Sequence, residues 1–164
     1  MKRTLALTAL IVLATAGCSS SNSAADPKPA RATPRVDAAS ALKAISATVS
    51  TAKQNSTITA ASDPNHLLGR PGQYTSKVTF ADSRVSKADA AGFKAGDVEL
   101  GGAIEAFANS ADAAARAEYI RSVTKSSSAL AEYDYVHGAV VVRVSRFLTP
   151  TQAGQYKTAA AKLS

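Results

Sequence analysis

The sequence is poor in the residues that build disulfide, metal and aromatic sites. It has one cysteine, two histidines and no tryptophan in 164 residues, and aromatic residues make up 5% of the chain. A single cysteine excludes a disulfide within the chain, and protein metal sites need several converging nitrogen, sulfur or carboxylate ligands. The two histidines, His66 and His137, stand far apart without a companion at ligand spacing. We therefore expect no metal and no cofactor.

Motifs for phosphate binding and nucleophilic catalysis are also missing. The nine glycines match no phosphate-loop spacing, and no GxSxG motif positions a nucleophilic serine. Two segments, 40–43 (SALK) and 50–53 (STAK), have the SxxK spacing of penicillin-binding serine enzymes. That spacing would place a hydroxyl and an amine one helical turn apart, but the other motifs of that group are missing. The segments therefore favour no enzyme class.

Two pairs of carboxylates have the spacing of residues on one face of a strand. They are Asp97 with Glu99 and Glu132 with Asp134. Paired carboxylates carry the acid and base of glycosidases, but solvent-facing carboxylates in a strand have the same spacing. The sequence leaves both interpretations open.

The only cysteine, Cys18, follows a segment with the layout of a secretory signal peptide. Met1-Lys2-Arg3 gives a positive start, and residues 4–14 form an apolar run that ends in small residues. This run is shorter than the roughly 20 residues that a membrane-spanning helix needs. The stretch Ala16-Gly17-Cys18 resembles the lipobox of bacterial lipoproteins, although threonine stands where that family usually has leucine three positions before the cysteine. The resemblance implies that residues 1–17 are removed and that a diacylglycerol is joined to the Cys18 sulfur.

Lipidation would place the protein on a membrane without spanning it. Two acyl chains bind a bilayer durably, whereas one chain binds it only marginally. We therefore expect a location at the outer face of the cell membrane. Residues 18–35 are rich in Ser, Ala and Pro and lack large apolar side chains, which predicts a flexible tether. Residues 36–164 have the length of one globular domain.

The charge of the chain is basic but dispersed. The net charge is +7, and without Lys2 and Arg3 the chain keeps 17 basic and 12 acidic residues, or about +5. The basic residues alternate with acidic ones and form no dense cluster. Nucleic acid is not an expected partner outside the membrane, whereas anionic lipid headgroups or an acidic wall polymer would be weakly attracted.

Helical spacing of apolar residues predicts three helices, each starting after a capping residue. The caps are Asp37, then Asn109 or Ser110, then Thr149, which is followed by a proline at the first helical position. Asp63 is also expected to cap a single helical turn before the turn at Pro71-Gly72. The inner sides of the three helices carry Leu42, Ile45 and Val49, then Ala113, Ala117 and Ile120, then Ala153, Tyr156, Ala160 and Leu163.

The remaining pattern predicts about four strands in the order α-β-β-α-β-β-α. Residues 74–80 alternate as in a half-buried strand, a second strand at 103–108 follows a turn at Gly101-Gly102, and His137-Gly138 turns a hairpin. Residues 54–63 are expected to form a polar loop. The sequence thus predicts an α+β domain, a two-layer sandwich of a mostly antiparallel sheet with amphipathic helices on one face.

The segment 63–84 concentrates residues suited to binding. His66, Arg70, Tyr74 and Lys77 surround its turns, and exposed Arg and Tyr are favoured contact residues. Together with segments 101–120 and 133–145, it resembles small lipoproteins of high-GC Gram-positive bacteria, a group that implies no assigned activity. We expect a non-enzymatic envelope lipoprotein whose domain binds a protein, a peptide or a wall polymer. A small hydrolase acting on wall or lipid material is the alternative.

Overall fold

The computed structural model describes residues 36–164, which form an α+β domain. Five strands make one antiparallel sheet in the order β1-β2-β3-β5-β4, and three α-helices cover it. The predicted fold class is confirmed. The helices are α1 (Ala38–Thr48), α2 (Ser110–Thr124) and α3 (Pro150–Ala160), and the strands are β1 (Ala52–Ile58), β2 (Ser76–Asp82), β3 (Gly101–Ala106), β4 (Glu132–His137) and β5 (Val140–Ser145).

The first strand, β1, takes up residues 54–58 of the segment 54–63 that the sequence predicts to be a polar loop, and only residues 59–63 lack strand structure. It lies at the sheet edge and pairs with β2, with a bulge between Gln54 and Ser56. Only its end residues, Ala52 and Ile58, are buried. The prediction is wrong because backbone pairing with β2, and not an apolar face, forms this strand. Asn55 at the bulge accepts a hydrogen bond from the Thr79 hydroxyl at 2.6 Å.

The larger core lies between one face of the sheet and helices α1 and α3. Val78, Phe80, Ile104 and Val142 point into it from three strands, and the Phe80 ring stacks on Tyr156 of α3 with centroids 5.3 Å apart. Burying apolar side chains of this size contributes roughly 1.5–3 kcal/mol each. The predicted inner residues of α1 and α3 belong to this core, except that Leu163 is half-buried beyond the end of α3.

Helix α2 packs on the opposite face of the sheet. Ala113 and Ala117 form a smaller core there with Val141, Tyr74 and Phe107. The predicted arrangement of all helices on one face is therefore wrong, and the sheet is covered on both sides. The physical reason is that β2, β3 and β5 bury side chains on both faces, which periodicity in a single strand does not reveal.

The predicted turn at Gly101-Gly102 is also wrong, because both glycines open β3. A side chain at Gly102 would collide with the Phe80 ring and with the Arg143 carbonyl oxygen. The glycine pair is thus required by close packing within the sheet and not by chain reversal.

The helix starts agree with the sequence predictions. Asp37 and Asn109 accept hydrogen bonds from backbone amides in the first turns of α1 and α2. Thr149 and Gln152 form a reciprocal capping box at α3, with Pro150 at its first position. These caps depend only on neighbouring residues, which is why the sequence identifies them.

Asp82, at the end of β2, joins the sheet to α3. Its carboxylate accepts hydrogen bonds from the Tyr156 hydroxyl at 2.6 Å and from the Arg84 guanidinium. Burial alone would raise the pKa of Asp82, but the hydrogen bonds from Arg84 and Tyr156 outweigh it and lower that pKa. The position of α3 is therefore fixed by an ionised buried group as well as by apolar packing.

Candidate functional site

The corner segment, residues 63–73, is organised by one buried carboxylate. Asp63 accepts hydrogen bonds from the backbone amides of Leu67 and Leu68 at 2.8 and 2.9 Å and from the Tyr74 hydroxyl at 2.7 Å. The segment forms successive turns and not the predicted single helical turn. A helix cap would accept from the amides two or three residues on, whereas the short hydrogen bonds of Asp63 come from amides four and five residues on. His66 has a positive φ of 52°, so its peptide adopts the left-handed conformation.

The hydrogen bonds of Asp63 shift the titration of both partners. Burial would raise the pKa of Asp63, but the Tyr74 hydroxyl and the amides of Leu67 and Leu68 lower it to about 2. Burial and the adjacent carboxylate raise the pKa of Tyr74 well above its usual value. The corner segment is therefore held by an ionised acid and a neutral phenol at ordinary pH.

The four sequence-predicted binding residues do not form one surface. His66 and Arg70 are exposed on the corner segment. Tyr74 is fully buried and packs edge-on against Phe107, and Lys77 is buried beside Glu105. The expectation that Tyr74 and Lys77 are available for contact is wrong, because each is buried against an acidic partner, Asp63 for Tyr74 and Glu105 for Lys77.

A cleft lies between the corner segment and α2, and we call it the corner cleft. Its volume is about 430 Å³. Apolar and amide groups line most of it, and Tyr119 of α2 is 60% exposed at its side. Small-ligand and peptide sites commonly combine an apolar lining with a few polar groups in this way. The lining includes Asn65, Leu67, Gly72, Gln73, Arg116 and Tyr119.

Arg116 connects the corner cleft to the interior of the domain. Its Nε and Nη2 groups donate to Glu105 at 2.9 and 3.3 Å. Its guanidinium carbon lies 5.7 Å from the ring centroids of both Tyr74 and Tyr119. Within the described part of the chain, no residue accepts a hydrogen bond from Arg116 Nη1. The sequence predictions do not include Arg116 as a site residue, although it lies three residues from both Ala113 and Tyr119 and so neighbours each of them on α2.

Behind the corner cleft lies a charge cluster of Lys77, Glu105, Arg116, Glu132 and Arg143. Glu105 is fully buried and contacts three cations: Lys77 Nζ at 3.2 Å, Arg116 Nε at 2.9 Å and Arg143 Nη1 at 3.2 Å. Arg143 also donates to both oxygens of Glu132. Burial would raise the pKa of Glu105, but Arg143, Arg116 and Lys77 hold it at about 2. The cluster therefore has an ionised Glu105 at its centre, under α2.

Beside this cluster, Asp134 lacks a cation of its own. Its Oδ1 atom is buried and has no hydrogen-bond partner among the described residues. Arg143 lies opposite Asp134 in the sheet, but its donors are directed to Glu105 and Glu132. Burial, and then the neighbouring Glu132, raise the pKa of Asp134 to about 7. Two carboxyl groups therefore share the α2 side of β4: Glu132, which is salt-bridged to Arg143, and Asp134, which is not.

The other candidate catalytic groups are placed apart. Asp97 and Glu99 lie at a short 3₁₀ segment, Val98–Leu100, and not on one face of a strand. His66 is on the exposed corner segment, whereas the His137 Nε2 group at the end of β4 donates to the Leu163 carbonyl oxygen at 2.9 Å. The two histidines thus contribute to no common site.

The two SxxK segments do not form serine-lysine pairs with an activated hydroxyl. In the first, Ser40 is exposed on α1 and donates its hydroxyl hydrogen to Asp37 at 3.0 Å. In the second, Ser50 precedes β1 and Lys53 is an exposed strand residue, so the helical spacing does not apply.

Residues 36–164 contain neither a cluster of metal ligands nor a helix of membrane-spanning length. Within this range, no group of three or more His, Cys, Asp or Glu side chains converges as metal ligands would. None of the helices in this range is long and apolar enough to cross a membrane. The predicted lipidation residue, Cys18, and the tether at 18–35 lie outside the described residues.

Comparison with known proteins gives no relationship from which a function could be carried over. The chain matches no protein-family model, no curated protein and no solved structure.

Proposed function

We propose that the chain is a lipoprotein held at the outer face of the cell membrane through a lipid on Cys18, and that its domain is a binding module. The support for the anchor is the order of a positive start, an apolar run and the lipobox-like Ala16-Gly17-Cys18. The resemblance to small lipoproteins of high-GC Gram-positive bacteria supports the same location. The support for binding comes from the corner cleft.

The observation that carries the binding proposal is the corner cleft with Tyr119, 60% exposed, at its side. Tyrosine is among the residue types that contribute most to binding energy. Arg116 in the lining is buried and paired with Glu105, so it supports the Tyr119 ring and is not itself a contact residue. Arg70 and His66 add exposed polar side chains on the neighbouring corner segment. These groups suit an envelope protein, a peptide or a wall polymer that presents acidic groups beside apolar surface.

The anchor is tested by replacing the lipidated residue. In Cys18→Ser the sulfur is lost, so the protein should move from the membrane fraction to the soluble fraction or stay unprocessed. Mass spectrometry of the parent chain should find an N-terminal peptide that begins at Cys18 and carries the mass of a diacylglyceryl group. A parent chain that starts elsewhere, or that carries no lipid, would contradict the anchor.

The binding role is tested with matched double variants of the full chain, immobilised and exposed to detergent-solubilised envelope. Arg70→Ala with Tyr119→Ala removes the exposed tyrosine at the corner cleft and an exposed arginine on the adjoining corner segment. Lys53→Ala with Leu130→Ala removes comparable exposed groups elsewhere. A genuine partner should bind the first variant about 30-fold more weakly, which corresponds to roughly 2 kcal/mol. Equal affinity for both variants would remove the corner cleft from the proposal.

One observation favours the hydrolase as a second candidate. Burial and the neighbouring Glu132 raise the pKa of Asp134 to about 7, which suits a proton donor that acts near neutral pH. Asp134 would be the proton donor, and Glu132, held by Arg143, would position it. Activity on wall or lipid substrates that is lost in Asp134→Asn, but kept in Asp89→Asn on an exposed loop, would support this candidate.

A further inference from the structure

Strand β4 is an edge strand whose outer side is unpaired in the described part of the chain. It pairs with β5 along all six of its residues. No residue from Glu132 to His137 makes a backbone hydrogen bond to any other described segment. An unpaired row of amide and carbonyl groups is a template for a further strand.

The two sheet edges differ in how they are protected. β1 is bulged between Gln54 and Ser56 and carries an exposed lysine, Lys53, and both features discourage pairing with another chain. β4 has a regular register with no bulge, no proline and no lysine. Its Val136 is 39% exposed and is one of four large exposed apolar residues in the described domain.

The charged residues of β4 do not protect its edge as an isolated lysine would. Glu132 accepts hydrogen bonds from Arg143 Nε and Nη2, both at 2.9 Å, so its charge is balanced by a cation within the domain. Asp134 is partly buried on the same side, and burial with the nearby Glu132 raises its pKa to about 7. The edge of β4 is therefore less repulsive to another strand than its sequence, EYDYVH, indicates.

A groove runs beside the β4 edge on its α3 side. It has a volume of about 390 Å³ and lies between β4 and the end of α3. Tyr135, His137, Lys157 and Ala160 contribute to its walls. Side chains of an added strand would need such space, because alternate residues of that strand point toward α3.

Among the antiparallel registers that pair at least five residues of β4, those centred on Asp134 and on Tyr135, the sequence is complementary to itself in one. Opposed residues in an antiparallel pair share a sheet face, so two identical strands must place one residue opposite its own copy. With Asp134 at that position, its carboxyl group faces the Asp134 carboxyl of the other copy directly. With Tyr135 there, Tyr135 faces Tyr135, Tyr133 faces His137, and Asp134 faces Val136, so no like charges are opposed and aromatic pairs form.

We propose that β4 pairs with β4 of a second copy of this chain, antiparallel and with Tyr135 on the two-fold axis. The two five-stranded sheets then form one ten-stranded sheet. The interface is isologous, since each copy contributes the same strand, and it therefore closes at two chains. It leaves the corner cleft open in each copy, so it holds whether or not the corner cleft binds a partner.

The oligomeric state of the full chain, purified in mild detergent, tests the proposal through two valine variants. Val136 on β4 and Val123 on α2 are both 39% exposed, so replacement of either by lysine perturbs folding to a similar small extent. Sedimentation velocity should show a dimer for the parent and for Val123→Lys, and loss of the dimer in Val136→Lys. A parent chain that stays monomeric at all protein concentrations up to the submillimolar range would overturn the proposal. The unpaired edge of β4 would then be available only to a strand of another protein.

A cysteine cross-link tests the register. Tyr135→Cys should form a disulfide-linked dimer rapidly under mild oxidation, because opposed Cβ atoms in an antiparallel pair lie close to disulfide distance. Thr57→Cys on the exposed edge of β1 is the matched control, and the parent chain shows any linkage through Cys18. Equal cross-linking of the two variants, or a dimer that persists in Val136→Lys, would place the interface elsewhere and overturn the proposal.

Discussion

Tyr74 and Asp63 form a buried pair that joins the corner segment to the start of β2. The phenol donates to both carboxylate oxygens, at 2.8 and 2.7 Å, and Asp63 is 1% exposed. Removing a donor from a buried ionised acceptor leaves part of its desolvation uncompensated. This pair therefore decides whether the wall of the corner cleft stays formed.

We expect Tyr74→Phe to lower the free energy of unfolding by about 1–3 kcal/mol, because it removes this hydrogen bond and keeps the ring packing. Chemical denaturation at neutral pH measures the change. Tyr119→Phe is the control, since that side chain is 60% exposed and should leave the stability unchanged. A similar stability for both variants would show that the pair contributes little.

Glu105 is the centre of the charge cluster and has no access to solvent. Replacing it by glutamine would leave Lys77, Arg116 and Arg143 buried close together without their common anion. We expect Glu105→Gln to cost about 3–5 kcal/mol of unfolding free energy.

Urea denaturation of Glu105→Gln and of Glu118→Gln, an exposed replacement on α2, provides the comparison. The exposed variant should stay within about 0.5 kcal/mol of the parent. An equally small loss of unfolding free energy in Glu105→Gln would mean that water reaches the charge cluster. It would contradict the description of Glu105 as an ionised group shielded from solvent.

Among the secondary-structure elements, β3 and α3 each contain a glycine, but for β3 close packing requires it, whereas in α3 it only lowers the stability of the helix. Gly102 of β3 has no room for a side chain, whereas no atom would contact a side chain at Gly154 of α3. We expect Gly102→Ala to destabilise the domain by about 1–3 kcal/mol, because the Phe80 ring and the Arg143 carbonyl must move.

Gly154→Ala should have the opposite sign. Alanine loses less conformational freedom than glycine in a helix, so the free energy of unfolding should rise by about 0.5–1 kcal/mol. Thermal denaturation of both variants side by side provides the measurement. Two shifts of the same sign would contradict the packing described for β3 or for α3.

The pH dependence of stability belongs to the whole molecule, because carboxyl groups with opposite shifts contribute to it. Asp63 and Glu105 have folded-state pKa values of about 2, below their unfolded values, so their contribution is present above about pH 4 and is lost as the pH falls toward 2. Asp134 has a folded-state pKa of about 7, above the unfolded 3.8, so it lowers stability as the pH rises from about 4 to 7.

We expect Asp134→Asn to remove the second of these effects. The variant and the parent should have similar stability near pH 4, where Asp134 is protonated in the folded state. The variant should become the more stable of the two as the pH rises through 7, because asparagine never becomes charged. Unfolding free energies across this range measure the difference, and parallel pH profiles would show that Asp134 is ionised when folded.

Elements whose signals are local can be predicted from the amino-acid sequence. The capped starts of all three helices, the β4–β5 hairpin and the α+β class follow from capping residues, proline and short-range periodicity. The lipid anchor at Cys18 is likewise a sequence-based proposal, and its residue lies outside the part of the chain that the structure describes.

Which polar residues are buried depends on contacts between segments that are distant in sequence. Lys77 and Arg143 pair with Glu105 across strands that are distant in sequence, so no local pattern shows that these cations leave the surface. Strand β1 is formed by backbone pairing with β2 and has no apolar alternation to reveal it. The corner cleft and the β4 edge likewise could not be predicted, because the residues that form them are distant in sequence and are brought together only in the folded domain.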